Sequence, residues 1–87
     1  MITKETDMGL IMTTDKDWAH KVKGILKAEL KRKHIGYKEL SDKLNDMGIP
    51  LTERSINSKI SRGGFTAVFF VQCLAAIGCH TVHLDEG

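Results

Sequence analysis

The residues with the clearest capacity for chemistry are polar side chains spaced along residues 53–62, ERSINSKISR. If Ile56 and Ile60 face a protein core, a helix of 3.6 residues per turn places a polar set on its opposite side. That set comprises Arg54, Ser55, Ser58, Ser61 and Arg62, flanked by Asn57 and Lys59. Arginine forms paired hydrogen bonds with guanine and asparagine with adenine, while serine and lysine bond base or phosphate oxygens. The pattern therefore indicates a surface that could bind duplex DNA.

Lys38 falls in the first turn of another predicted helix and is suited to hold a phosphate. The free amides of a helix N-terminus attract anions, and a lysine beside them adds a charge. The polar residues could instead form only the solvated face of a small bundle. In that case Arg62 or Lys59 could pair with Glu29, an acidic residue that falls on the apolar stripe of its own predicted helix. Both interpretations stay open at the level of sequence.

Cysteine and histidine residues near the C-terminus raise the question of a metal site. Of Cys73, Cys79, His80 and His83, only Cys79 and His83 have a ligand-like spacing, and no CxxC motif occurs. Cys73 suits a core position as a small hydrophobic residue. The chain also lacks a glycine-rich phosphate loop and the HExxH and GxSxG motifs. We therefore predict no metal, no cofactor, no small-molecule substrate and no enzymatic activity.

Composition and charge fit a small globular domain with a basic middle. The chain has 87 residues, of which 41% are hydrophobic and 28% charged, which is too apolar for a disordered protein. Residues 16–62 hold twelve of the thirteen basic side chains and six of the eleven acidic ones, a local balance of +6. No apolar run is long enough to span a bilayer, and residues 1–7 do not resemble a signal peptide. We therefore expect a cytoplasmic protein with no membrane partner and an electrostatic preference for polyanions.

Hydrophobic periodicity and capping residues predict four helices. Their approximate ranges are 15–33, 37–46, 53–62 and 67–77. Thr14, Thr52 and Thr66 precede three of these ranges and are favourable N-caps. Gly63 follows the third range, where a residue with positive φ commonly ends a helix. Residues 47–51 contain the only proline and predict a turn.

The chain termini predict a different kind of structure. Residues 1–13 lack helical periodicity and could form an arm or an edge strand. Residues 80–84 alternate loosely between polar and apolar types, which suits a short strand. The organisation we expect is therefore an N-terminal arm over residues 1–13 followed by one domain over residues 14–87.

The last predicted helix is apolar nearly all round. Its core side is expected to comprise Phe70, Cys73, Leu74 and Ile77. The other side carries Val68, Phe69, Ala75 and Ala76, with Gln72 as the only polar residue. A helix that is apolar all round is expected to be buried all round. Either a second subunit covers Val68, Phe69 and Gln72 in a homodimer, or the terminal segments of the same chain do.

Two stretches of the sequence, HIGYKELSDKL and SINSKISRGGF, resemble the helix-turn-helix family of phage-repressor and Xre-like regulators. The chain is also similar to a small bacterial family of uncharacterised domains, over residues 17–84. The residues that carry this second resemblance are Trp18, Val22, Lys23, Leu26, Lys27, Glu29, Leu30, Tyr37, Glu39, Leu40, Leu44, Gly48, Lys59, Ile60, Ser61, Arg62, Gly63, Phe65, Phe69, Gln72, Leu74, Ile77 and Gly78.

The resemblance implies an all-α, repressor-like helix-turn-helix bundle of four to five helices, with room for short terminal strands. Tyr37 then falls where such domains often contact phosphate or base, and Ser41 falls where a small residue lets two helices approach. The sequence departs from the family pattern in two places. The segment between Leu44 and Ile60 is several residues longer than the compact motif, and Ser61 replaces an acidic residue.

Together these observations predict sequence-specific binding of double-stranded DNA by a bacterial or phage transcriptional regulator, with residues 53–62 in the major groove. The expected DNA-contacting residues are Tyr37, Lys38, Arg54, Ser55, Asn57, Ser58, Lys59 and Arg62. The alternative is a protein-interaction module, such as an adaptor or antitoxin-like partner, that binds through the apolar face of the last helix.

Overall fold

A computed structural model of the chain describes residues 14–84. These residues form four α-helices and no strand, so the predicted all-α class is confirmed. The helices are α1 (Asp15–Arg32), α2 (Tyr37–Asp46), α3 (Glu53–Arg62) and α4 (Ala67–Ala76). None of these helices is both long enough and apolar enough to cross a bilayer.

The prediction of a short strand over residues 80–84 is wrong. This segment is irregular, with Thr81 and Leu84 exposed, because no neighbouring strand among residues 14–84 offers it a hydrogen-bonding edge. The arm or edge strand predicted over residues 1–13 lies outside the described residues.

Threonine side chains define where three of the helices begin. The hydroxyls of Thr14, Thr52 and Thr66 each accept a hydrogen bond of 3.1 Å from the backbone N–H three residues later. These bonds satisfy amides that the first turn of a helix leaves without an internal partner. Helix α2 differs because it begins after Gly36, which supplies no side-chain cap.

The core confirms the predicted inward positions of α2 and α3. Leu40, Leu44, Ile56 and Ile60 are completely buried and form one cluster with Leu74. Helix α2 packs against both α3 and α4, while α1 packs against α4. The cluster is completed by Leu26, Leu30, Phe69, Cys73 and Ile77.

The rotation of α4 differs from the one predicted. Phe69, expected on the outer side, is buried in the core, whereas Phe70, expected in the core, is only partly buried and packs against it. The reason is that Phe69, Cys73 and Ile77 are spaced four residues apart and form one row that faces the other helices. Phe69 is thus not available to a partner, and its assignment to a dimer interface is wrong.

Helix α1 runs alongside α4 in the same direction. Near the start of α1, the Ala19 backbone lies close to Gly63, which precedes α4. A Cβ atom placed on Gly63 would lie only 3.1 Å from the carbonyl oxygen of Ala19. Near the end of α1, Glu29 and Lys33 line a groove together with Cys79, which follows α4. Each end of α1 therefore contacts the chain just before or just after α4.

The burial of Ile60 yields a stability prediction. Ile60→Ala should lower the free energy of unfolding by about 2–5 kcal/mol, because it removes buried methyl groups and leaves a cavity among well-packed side chains. Ser58→Ala, on the exposed side of the same helix, should change it by less than about 0.5 kcal/mol. Urea denaturation of both variants measures the difference. A small effect of Ile60→Ala would mean that α3 is not docked through this residue.

Candidate nucleic-acid interface

The outward face of α3 carries most of the polar residues predicted to contact DNA. Because Ile56 and Ile60 are the only buried residues of this helix, its remaining side chains point to solvent or lie at the edges of the core. Arg54, Asn57, Ser58, Ser61 and Arg62 are exposed, and Ser55 and Lys59 are partly buried. The helix therefore presents hydrogen-bond donors and acceptors over about half of its circumference.

Four polar side chains around the end of α3 already have intramolecular contacts. The Ser61 hydroxyl donates a hydrogen bond of 3.1 Å to Oδ1 of Asn57. The ammonium group of Lys59 lies 5.8 Å from the centre of the Phe69 ring, within cation–π distance. Lys23 of α1 donates from Nζ to the Ser61 carbonyl oxygen at 3.0 Å, which places a cation at the negative end of the helix dipole. Arg54, Ser58 and Arg62 make no such bond within the described residues.

The ion pairs of the described residues leave the arginines of α3 free of acidic partners. Three pairs occur between residues 14 and 84, all within single helices: Arg32 with Glu29 at 3.4 Å, Lys38 with Asp42 at 3.6 Å, and Lys43 with Glu39 at 3.9 Å. The alternative pairing of Glu29 with Arg62 or Lys59 is therefore wrong, because Arg32 sits one turn away on the same helix. The positive charge of α3 faces solvent.

Tyr37 and Lys38 lie on the first turn of α2. Lys38 is exposed, and Tyr37 is partly buried, which raises the pKa of its phenol. Tyr37 lines a shallow groove with Lys27 and Lys31 of α1. Within the described residues, no hydrogen bond or ion pair connects Tyr37 or Lys38 to α3. The two residues thus form a second polar region that the structure does not join to the face of α3.

The long turn between α2 and α3 is fastened to α2 by two side chains. The buried Ser41 donates its hydroxyl to the Leu51 carbonyl oxygen at 2.7 Å, and Asn45 donates to the same oxygen at 3.0 Å. Asn45 also donates to the backbone carbonyl of Ser41 at 2.6 Å. Ser41 was expected only to allow helices to approach, and Asn45 was not selected at all. The spacing of these two polar residues by four along α2, facing the turn, is the signal that could have found them.

A family model described as "Domain of unknown function (DUF6471)" matches residues 18–82, which include α2, α3, α4 and most of α1. The chain belongs to this family. No curated protein and no solved structure gives a significant match. The match therefore places the helices, the long turn and the α3–α4 junction within one family domain, and it assigns no function to them.

In this DUF6471 domain, the junction between α3 and α4, which Gly63 predicts only as a helix end, forms a groove. The groove has a volume of about 170 Å³, and Lys59 and Arg62 contribute cationic groups to its lining. Phe65 and Phe69 form its apolar part, with ring centres 5.3 Å apart in a T-shaped arrangement. The groove continues the positively charged end of α3 toward α4.

The two cysteine thiols differ in burial, and burial raises the pKa of both. Within residues 14–84, no group of three or more histidine, cysteine or acidic side chains is close enough to hold a metal ion. Burial raises the pKa of Cys73 to about 12. Burial and the nearby Glu29 carboxylate also raise the pKa of Cys79, whose thiol donates to the Thr81 carbonyl oxygen at 3.1 Å. Both side chains are therefore protonated at neutral pH.

These pKa shifts predict the alkylation pattern of the folded protein. The thiolate is the reactive species, so a raised pKa lowers reactivity until the pH approaches it. At about pH 8, near the pKa of a free cysteine, iodoacetamide should modify Cys79 slowly and leave Cys73 unmodified. Denatured protein should react at both residues. Mass spectrometry of the two samples measures this, and equal modification of Cys73 in the native sample would place it outside the core.

The bonds to Leu51 predict how the long turn contributes to stability. Ser41→Ala and Asn45→Ala should each lower the free energy of unfolding by about 0.5–1.5 kcal/mol. The loss is limited because the Leu51 carbonyl keeps one hydrogen-bond donor in either variant. The double variant should cost more than the sum of the two, because it leaves that carbonyl without either side-chain partner. Denaturant titrations of the wild type, the two single variants and the double variant complete this double-mutant cycle. Additive effects would show that the two side chains do not share this acceptor.

Proposed function

We propose that this domain binds duplex DNA in a sequence-specific manner and acts as a transcriptional regulator, with α3 in the major groove. The observation that carries the proposal is the division of α3 into two faces. Ile56 and Ile60 hold the helix on the core, and the opposite face exposes Arg54, Ser58 and Arg62. A major groove admits one α-helix, and these side-chain types can bond base edges and phosphates there.

The distribution of charge supports this proposal. Residues 16–62 have a local balance of +6, and the acidic residues Glu39 and Asp42 of α2 are paired with lysines on their own helix. Lys59 and Arg62 line the groove at the α3–α4 junction, and Lys59 could bind a phosphate of the DNA backbone there. The cationic groups at the end of α3 thus meet no acidic partner among residues 14–84 that would have to be displaced by DNA.

The rigidity of α3 also supports the proposal. Its first turn is capped by Thr52, its last turn is bonded by Lys23, and the preceding turn is fastened to α2 through Leu51. A helix held at both ends keeps its backbone in one orientation, which reduces the entropy lost when it binds a ligand. The longer turn is therefore compatible with a fixed orientation of α3.

The proposal includes a homodimer in the cytoplasm. DNA sites with two-fold symmetry present two equivalent half-sites, and two copies of a small domain double the contacts that one copy can make. The residues proposed to contact DNA are Arg54, Ser55, Asn57, Ser58, Lys59 and Arg62 on α3, and Tyr37 and Lys38 on α2.

A second function is supported by a different observation. Helix α4 exposes 66% of Val68 and 60% of Val71, which are large fractions for apolar side chains. A protein-interaction module would use such a surface to bind another protein. The two functions differ in their response to salt, because phosphate contacts release counterions on binding whereas apolar contacts do not.

The DNA-binding proposal predicts distinct effects of two kinds of substitution. Arg54→Ala and Arg62→Ala should each lower the affinity for the preferred DNA sequence. Each should also reduce discrimination against a wrong base by about 1–3 kcal/mol. Lys38→Ala should lower the affinity for all DNA sequences equally. It should also reduce the slope of log affinity against log salt concentration by about one. Fluorescence anisotropy with a selected duplex and a scrambled duplex measures both effects over a salt series.

Lys33→Ala is the matched control, because it removes an exposed positive charge beside Cys79, away from α3. It should leave sequence preference unchanged, and all variants should keep the thermal midpoint of the wild type. Absence of binding to any duplex at about 50 µM protein in low salt would contradict the proposal, because non-specific dissociation constants are typically about 10⁻⁴–10⁻⁶ M even at physiological salt. Salt-independent association with a protein would favour the second function.

A further inference from the structure

The end of α3 is tied to α1 by a lysine side chain. Lys23 donates from Nζ to the Ser61 carbonyl oxygen at 3.0 Å. Among residues 14–84, this is the only side-chain hydrogen bond that joins two helices. The others stay within one helix or involve a helix cap, a turn or the irregular segment after α4. One turn earlier on α1, the Ala19 backbone lies close to Gly63. The last turn of α3 is therefore held against α1 at two adjacent points.

The same serine holds an amide on the exposed face of α3. The Ser61 hydroxyl donates to Oδ1 of Asn57 at 3.1 Å, one turn earlier on the helix. Asn57 is exposed. Of the α3 residues proposed to contact DNA, it alone has a side chain fixed by a hydrogen bond within the described part of the chain. A side chain that is fixed before binding loses less entropy when it binds.

We propose that Lys23 and Ser61 are positioning residues, which fix the amide of Asn57 for contact with an adenine in the major groove. This role rests on the proposed function and adds to it a base that the domain recognises. Lys23 holds the backbone of Ser61, and the Ser61 hydroxyl holds the Asn57 amide. Neither Lys23 nor Ser61 touches the DNA in this arrangement.

The hydrogen-bonding capacity of Asn57 favours adenine over guanine. A carboxamide oxygen has two lone pairs, so Oδ1 can accept from the adenine amino group while it keeps the Ser61 hydroxyl. The Nδ2 group then donates to adenine N7, which completes the paired contact of asparagine with this base. Guanine presents only acceptors at the same edge, so its O6 atom would face the carboxamide oxygen. Replacing this adenine by guanine should therefore lower the affinity.

The positive charge of Lys23 suits it to the end of a helix. The last carbonyl groups of a helix have no partner within it, and they form the negative end of the helix dipole. A hydrogen bond from an ammonium group to such a carbonyl is charge-assisted and stronger than a neutral one. Because its ammonium group binds Ser61 inside the domain, Lys23 does not add a phosphate contact.

Base substitution in a duplex tests the contact with adenine. The duplex is first selected from a random pool with the wild-type protein, and each A·T pair is then changed to G·C. Fluorescence anisotropy should show a loss of about 5- to 150-fold in wild-type affinity at the pair that Asn57 contacts, which is the roughly 1–3 kcal/mol of a paired contact. Asn57→Ala should abolish the discrimination at that pair and leave it unchanged at the others.

Substitutions of the two positioning residues test the link to Asn57. Ser61→Ala and Lys23→Met should each reduce discrimination at the same pair by at least about threefold. Ser61→Thr and Lys23→Arg should restore it, because each keeps the donor. Lys23→Met should also leave the slope of log affinity against log salt concentration unchanged, because no phosphate contact is lost. Lys16→Met is the matched control: it removes an exposed lysine of the same helix and should not alter the discrimination.

NMR relaxation of the free protein tests the positioning without DNA. The Asn57 side-chain amide should be more ordered on the picosecond-to-nanosecond timescale in the wild type than in Ser61→Ala. All of these variants should keep the thermal midpoint of the wild type, because Asn57, Ser61 and Lys16 are exposed and Lys23 is only partly buried.

Four results would overturn the roles assigned to Lys23, Ser61 and Asn57. They are discrimination that Asn57→Ala leaves intact at every pair, a preference for guanine at the contacted pair, a salt slope lowered by Lys23→Met, and an Asn57 amide equally mobile with and without the Ser61 hydroxyl. A protein that binds duplex DNA but gives any of these results leaves the proposed function standing. Absence of binding to any duplex contradicts the proposed function itself, and the contact with adenine falls with it.

Discussion

The burial of Ile56 and Ile60 is the contact on which the arrangement of this domain depends. Helix α3 has no other buried residue, so these two side chains supply its fully buried contacts with α2 and the rest of the core. A helix anchored by so little apolar surface would be marginal in isolation, and it is stable here because its neighbours hold it. Because only two positions of α3 are buried, the remaining positions can carry polar groups. Anchoring and the candidate interface are therefore two sides of one ten-residue helix.

The polar bonds around α3 perform a different task from the isoleucines. Burial of apolar surface is non-directional, so it favours contact but does not by itself choose the tilt of a helix. The bonds from Ser41 and Asn45 to Leu51, and from Lys23 to Ser61, have defined lengths and directions. They constrain the beginning and the end of α3 separately. A binding surface carried on a helix requires a backbone whose orientation is defined at both ends.

Much of the fold could be predicted from local signals. The threonine caps and Gly63 act within a few residues, so they mark helix ends in the sequence itself, and the periodicity of α2 and α3 revealed their buried sides. Helix α4 was different, because nearly every position is apolar and hydropathy alone cannot distinguish Phe69 from Phe70. Its rotation is chosen by how the whole helix packs against α1 and α2. The partner of Glu29 was missed for a related reason: a local arginine was within reach, and pairing Glu29 with α3 demanded a tertiary contact.

The candidate site was predictable only in part. Exposure of Arg54, Ser58 and Arg62 follows from helical geometry once Ile56 and Ile60 are placed inside. The groove at the α3–α4 junction and the contact of Lys59 with Phe69 depend on the angle between two helices, which no local pattern encodes. The fastening of the turn by Asn45 similarly depends on the path of residues 47–52.

Gly63 has a mechanical consequence for this domain. Its φ of +69° is followed by a φ of +62° at Gly64, and a Cβ at Gly63 would lie only 3.1 Å from the backbone of Ala19. A side chain at this position would be strained by its own backbone and would also push α1 away. The absence of a side chain at residue 63 is therefore what lets the backbone just after α3 lie against the backbone of α1.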